Sequence, residues 1–259
     1  MALWFLLLLT PAQTIESKAF PRPLQQRAVA ATVRIVNRSE KVEGSGVILG
    51  AGEKSIYILT AAHLLNRSPR LEISTFTADS YPRPAKVYDK VEVVARTHDM
   101  RDLGLIRVST DDPLPERLPL CPPRLLTKKE TFDALSAGCG AAGAPLCLVE
   151  RVQGARLIRR QENMKPALFW EVKREQTSGR SGGPLLDSEG NLLGIASGLN
   201  DRIEHRKHVL LPELLELCKD ALLHFCHVGH HWIYLLAAQS LSGIGTGEPS
   251  CLRRPGWYR

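Results

Sequence analysis

Three short stretches carry residue types that could work together on an acyl carbon: Thr60-Ala61-Ala62-His63, Asp102-Leu103-Gly104-Leu105-Ile106 and Gly179-Arg180-Ser181-Gly182-Gly183-Pro184. A serine hydroxyl is a poor nucleophile at neutral pH. Its attack needs a base to remove the proton, a carboxylate to orient that base, and donors for the oxyanion that forms. Ser181 supplies the nucleophile, His63 the base and Asp102 the orienting carboxylate. The glycines around Ser181 let backbone approach a substrate carbonyl without Cβ obstruction. The amides of Gly179 and Ser181 could then converge on one oxygen, and one such donor is typically worth about 3 kcal/mol in the barrier.

Each residue also has a plainer reading. Ser181 alone could be a turn serine in a glycine-rich hairpin, and His63 alone a hydrogen-bonded polar residue. Finding both with a carboxylate downstream reverses that balance. Asp99 is a second candidate for the orienting role, but Asp102 directly precedes an apolar run and is preferred.

Strands must position these groups. Short β-type runs separated by turn residues cover Ala31 to Val36, Gly46 to Leu49, Ile56 to Thr60, Leu71 to Thr75, Lys86 to Ala95 and Leu103 to Val108. A proline-rich stretch, Asp111 to Pro123, separates them from a second set: Ala134 to Gly138, Leu146 to Val152, Ala155 to Arg159, Ala167 to Val172, Pro184 to Leu186 and Leu192 to Gly198. Two β-rich halves of this kind suggest a pair of packed barrels. His63 closes one apolar strand and Asp102 opens another. From Leu210 the period changes to that of a helix, with Leu211, Leu214, Leu215, Cys218, Leu222 and Leu223 on one face and Pro212 in its first turn.

Composition narrows the remaining choices. With 44% hydrophobic and 24% charged residues among 259, the chain has a globular balance and no signature of disorder. The net charge of +7 comes from basic residues spread along the chain, without the patterns that read nucleic acid, so no nucleic-acid partner is expected. Met1 to Leu9 is an apolar run ended by Pro11 and is read as part of a signal peptide over residues 1–19, cleaved after Ala12 or Ala19. It is too short to span a bilayer, so no stable membrane span remains after its removal, and an exported protein, periplasmic or extracellular, is expected. Six cysteines are too few for a disulfide framework. Cys139 and Cys147 flank a turn that could bring them within bridging distance, and free buried thiols are the alternative. His224, Cys226, His227, His230 and His231 match no four-ligand metal motif, and no metal or organic cofactor is expected.

The order His63, Asp102, Ser181 is that of chymotrypsin, and the three motifs together closely resemble those of the trypsin-like serine peptidase superfamily, especially its exported bacterial, HtrA-type branch. Gly44-Ser45-Gly46-Val47-Ile48-Leu49 adds to the likeness, which runs from about residue 31 to residue 225. The resemblance implies an all-β fold of two packed six-stranded Greek-key β-barrels, with the site in the cleft between them and a C-terminal α-helix. The implied organisation is a lead over 20–30, a peptidase domain over 31–225 (barrels at about 31–110 and 124–200, helix at about 211–225) and a tail over 226–259. It also implies that Ser197 and Gly198 lie on the strand edge that pairs with substrate backbone, and that Glu175, six residues before Ser181, forms the base of the primary specificity pocket and favours basic side chains.

Two departures matter. Arg180 stands where vertebrate-type trypsins carry an aspartate that pairs with a newly freed amino terminus, so activation of that kind is not expected. No PDZ domain of the sort HtrA-type enzymes usually carry is expected after the helix. The reading implied is a serine endopeptidase acting on polypeptide through an acyl-enzyme; the oligomeric state is not legible. A silent trypsin-fold scaffold is the first alternative. A serine esterase is the second: Gly179-Arg180-Ser181-Gly182-Gly183 fits the G-x-S-x-G elbow, but hydrolases of that fold place their histidine last.

Overall fold

The structure is a computed structural model and describes residues 20–52, 54–66, 69–98, 101–112, 117–121, 131–141, 143–158, 167–174, 176–197 and 207–210. The leader, the helix expected over 211–225, the histidine-rich tail, Asp99, Glu175 and Gly198 lie outside the described residues.

Strands β1 (Thr32–Asn37), β2 (Val42–Gly52), β3 (Ser55–Ala61), β4 (Leu71–Thr75), β5 (Lys86–Tyr88), β6 (Val91–Arg96) and β7 (Leu103–Ser109) form one antiparallel sheet in the order β5-β4-β1-β2-β3-β7-β6. Strands β8 (Phe132–Cys139), β9 (Pro145–Ile158), β10 (Ala167–Val172), β11 (Pro184–Leu186), β12 (Leu192–Ser197) and β13 (Lys207–Leu210) close into a barrel in the order β10-β13-β12-β11-β8-β9. Both are antiparallel throughout. This is the chymotrypsin-like double β-barrel class expected from the sequence.

Strand periodicity explains how the halves share a core. Side chains alternate across a strand. In β3, Ile56 and Ile58 therefore point into the first sheet's own core with Val33, Ile35, Ile73, Ile106 and Val108. Tyr57 and Leu59 face the other way, together with Leu103 and Leu105 of β7, and join a second cluster containing Leu135, Phe169, Trp170, Leu185 and Ile195 of the closed barrel. One face of the first sheet is thus packed on the second barrel, which fixes the relative position of anything carried at the ends of β3, β7 and the β10–β11 connection.

Two strand expectations need correction, and the structure adds detail at the lead and the cysteines. The first sheet has seven strands instead of six, because the run read as one strand over Lys86 to Ala95 turns at Asp89 and Lys90 and serves both sheet edges. The runs read separately at Leu146 and Ala155 are one long strand, β9. The lead over 20–30 contains helix α1 (Arg22–Ala31): its prolines sit in and before the first turn, where a missing N–H is tolerated, and Leu24, Ala28 and Ala31 recur at helical spacing and are buried. Cys139 and Cys147 are free thiols, as is Cys121. In the β8–β9 ladder Cys139 faces Pro145 and Cys147 faces Ala137, so the two are offset by two residues.

Candidate active site

β3 and β7 are neighbours whose paired register ends at Ala61 opposite Leu103. The residues immediately beyond that pair must meet, and these are the turn Ala62–Leu65, which carries His63, and Asp102. Asp102 adopts a left-handed conformation with φ of 51°, which aspartate tolerates better than most side chains. In that conformation its carbonyl accepts the Ala62 amide at 2.8 Å while its Oδ1 accepts the His63 amide at 2.8 Å. Its Oδ2 lies 2.8 Å from His63 Nδ1 and accepts the Ser197 hydroxyl at 2.8 Å. A carboxylate is only an acceptor, so in the neutral imidazole it is Nδ1 that carries the proton and Nε2 that keeps its lone pair. The Asp102 side chain is 8% exposed and that of His63 36%, so the carboxylate is buried and the imidazole reaches solvent. Thr97 closes the loop behind them, donating its amide to Leu103 O at 2.8 Å and accepting the Leu103 amide on Oγ1 at 2.9 Å.

Ser181 lies in the loop before β11, with Gly179 at φ 86° and Gly182 at φ 85°. A side chain at Gly182 would be strained by its backbone and would also meet Ser45 O at 2.1 Å. The loop's amides divide into two groups. Those of Arg180, Gly182 and Gly183 donate to the carbonyls of Thr177, Ala196 and Arg180. Among the described residues, the Gly179 and Ser181 amides donate to no protein group. Ser181 itself is half-buried, and amides without a protein acceptor beside it are available to donate to a bound group. Ser181 Oγ and His63 are not hydrogen-bonded to each other among the described residues; such contacts often tighten only once substrate is bound.

Ser45, which in the sequence only adds to the family likeness, ties the two halves together. Its amide donates to Ser181 O at 2.7 Å and its hydroxyl to Gly179 O at 2.7 Å, while Oγ accepts the Cys139 amide at 2.8 Å. Thr60 Oγ1 donates to Ser45 O at 2.6 Å. The small residues of Gly44-Ser45-Gly46 were the available signal, since they suit a strand that another backbone must approach.

Arg180 is buried, and burial pulls its pKa below the ordinary value. Glu150, also buried, is pushed above the ordinary carboxylate value chiefly by burial. Burial likewise raises the thiols of Cys139 and Cys147, to about 12 and about 11. Among the described residues, no group of His, Cys, Asp and Glu is placed to hold a metal ion.

Of the residues expected at the site, His63, Asp102 and Ser197 are joined by hydrogen bonds, and Gly179 and Ser181 share one loop. Ser197 uses its side chain on Asp102, while its backbone position on β12 pairs with Lys207 of β13.

The trypsin-like peptidase domain model matches residues 44–195, which span the His63, Asp102 and Ser181 motifs. The chain belongs to the trypsin-like peptidase family. That places it in the trypsin-like serine peptidase superfamily, whose members act on polypeptides. Solved structures with a similar fold include the inactive form of Rv3671c from M. tuberculosis, with a TM-score of 0.60 and 16% identity over 78% of this chain and 91% of that one. The active form of the Rv3671c protease gives a TM-score of 0.59 and 18% identity over 76% and 83%. Deg5 gives 0.58 and 19% over 75% and 90%. No curated protein matches the chain by sequence. Among the described residues, no helix is long and apolar enough to cross a membrane.

Proposed function

We propose that the protein is a serine endopeptidase in which Ser181 is the nucleophile, His63 the general base and Asp102 the residue that orients it. The observation that carries this reading is the set of three hydrogen bonds converging on the Asp102 carboxylate, from the His63 amide, His63 Nδ1 and Ser197 Oγ. They hold the imidazole in the tautomer whose Nε2 can accept a proton. Nε2 takes the proton of Ser181 as Oγ forms a bond to the substrate carbonyl carbon. The oxyanion is received by the amides of Gly179 and Ser181. The imidazolium then gives its proton to the departing amine as the C–N bond breaks; water attacks the ester as His63 takes one of its protons, and His63 returns that proton to Ser181 Oγ as the C–O bond breaks and the acid product leaves. No metal or organic cofactor takes part in these steps.

In this reading Glu175 at the base of the primary pocket draws basic side chains, and the backbone at Ser197 and Gly198 pairs with the substrate strand. The leader directs export to the periplasm or the medium. Digestion of a denatured polypeptide followed by mass mapping of the products tests the reading. Internal cuts, enriched after lysine and arginine and absent with Ser181→Ala, are expected. Trimming from one end only, or no cleavage by a folded wild-type chain, would overturn it.

A further inference from the structure

Arg180 lies between the Gly179 and Ser181 amides, which donate to no protein group among the described residues, and its side chain is buried in the second barrel. Its Nη1 donates to the carbonyls of Gly138 at 3.3 Å and Leu146 at 3.0 Å, which face each other across the β8–β9 ladder. Its Nη2 donates to Ser136 Oγ at 2.9 Å, and Ser136 passes the contact on by donating to Glu150 Oε1 at 3.0 Å. Arg174 Nε lies 4.0 Å from the other oxygen of Glu150. Arg180, Ser136 and Glu150 are all buried, at 4%, 1% and 1% exposure. The barrel wall is shaped for the loop: a Cβ at Gly138 would lie 3.1 Å from both Cα and Cβ of Arg180.

A buried guanidinium with charge-assisted bonds to two carbonyls and a hydroxyl is a tether with a preferred direction. Rotating the peptide planes on either side of Arg180 would swing its Cα and pull the guanidinium from these acceptors, leaving a charge buried without partners. We propose that Arg180, anchored through Ser136 to Glu150, is a positioning residue: an internal latch that holds the Gly179 and Ser181 amides turned toward the cleft. The latch uses only contacts within the domain and needs no chain terminus. Its catalytic consequence rests on the serine-peptidase reading, whereas its effect on the loop does not.

Hydrogen exchange over residues 179–183 and the second-order rate of phosphonylation by a fluorophosphonate, measured side by side, test the proposal. With Arg180→Met the Gly182 and Gly183 amides, which are hydrogen-bonded in the native loop, are expected to exchange at least about tenfold faster. Phosphonylation should slow by about 10²–10³-fold, the loss expected for one oxyanion donor. Arg180→Lys should fall between. The double variant Arg180→Met with Glu150→Leu removes the isolated buried charge and restores the fold, and it should regain thermal stability without regaining reactivity. A folded Arg180→Met or double variant that exchanges and reacts within about threefold of the native chain would overturn the latch. If the native chain does not react with the probe yet exchange still rises in Arg180→Met, the latch stands and the serine-peptidase reading falls.

Discussion

The two halves of the molecule hold their functional groups by different means. In the first, His63 and Asp102 sit just past the end of one strand pair, so ordinary β-register brings them together and short backbone hydrogen bonds finish the geometry. In the second, Ser181 sits on a loop whose neighbours in sequence say little about its shape. That loop is held from outside, by Ser45 of the first sheet and by Arg180 reaching into the barrel beneath it. A base and its orienter can be built by local register, but a pair of unused amides has to be held against collapse onto nearby carbonyls. Substitutions at His63 or Asp102 should therefore disable proton transfer in a loop that stays formed, and those at the loop's outside anchors, Ser45 and Arg180, should loosen the loop while the His63–Asp102 pair stays intact.

The largest expected effect is Asp102→Asn. The amide cannot accept the Nδ1 proton in the same way, so the wrong tautomer is favoured, and kcat should fall about 10⁴-fold with melting temperature and the exchange of residues 179–183 little changed. An effect of equal size on loop exchange would dissolve the contrast between the halves. Next is Ser45→Ala, which leaves Gly179 O and the Cys139 amide without their bridge. A decrease of about ten- to a hundredfold in kcat with a smaller change in KM is expected, along with about 1–3 kcal/mol of lost stability for the buried groups left unpaired. Kinetics and urea unfolding on the same preparation check both.

How much of this was legible in the sequence follows the same division. The strands bearing His63 and Asp102 were legible because alternating apolar runs bounded by turn residues mark strand ends, and the two residues sit at such ends. The glycines around Ser181 marked a close backbone approach. Ser45 could not be given its role, because its partners Gly179 and Cys139 lie 134 and 94 residues away and only tertiary packing brings them near. Arg180 is legible as a departure from trypsins, but an arginine in a loop defaults to solvent, and its burial depends on acceptors from β8 and β9 that no local pattern announces. Helix α1 is short, and only Leu24, Ala28 and Ala31 mark its buried face behind two prolines at its start, which is little signal for a helix. Strand β13 is four residues long and runs into the onset of a helical period at Leu210, so its own alternation carries little signal.

A smaller effect concerns Glu150. Its folded-state pKa is raised, so its favourable contribution to stability is fully present below the ordinary carboxylate value of about 4.3 and is lost as pH rises through the raised value. Glu150→Gln has no such loss, and its stability relative to wild type should grow between pH 4 and pH 7 in denaturant titrations. A gap that narrows instead would mean that Arg174 and Arg180 outweigh burial at this carboxyl. Smallest is the response to alkylating reagents. With pKa values near 12 and 11, Cys139 and Cys147 carry almost no thiolate at pH 7.5, so both should react far more slowly than free cysteine in the folded chain and normally after unfolding.

The central claim is that Ser181 is an activated nucleophile served by His63, and labelling with a fluorophosphonate followed by peptide mapping tests it most directly. A single adduct on Ser181, lost with Ser181→Ala and with His63→Ala, is the expected result. A well-folded chain that takes up no label, or carries it on another residue with Ser181 unmodified, would contradict the claim and leave a trypsin-like fold used for binding.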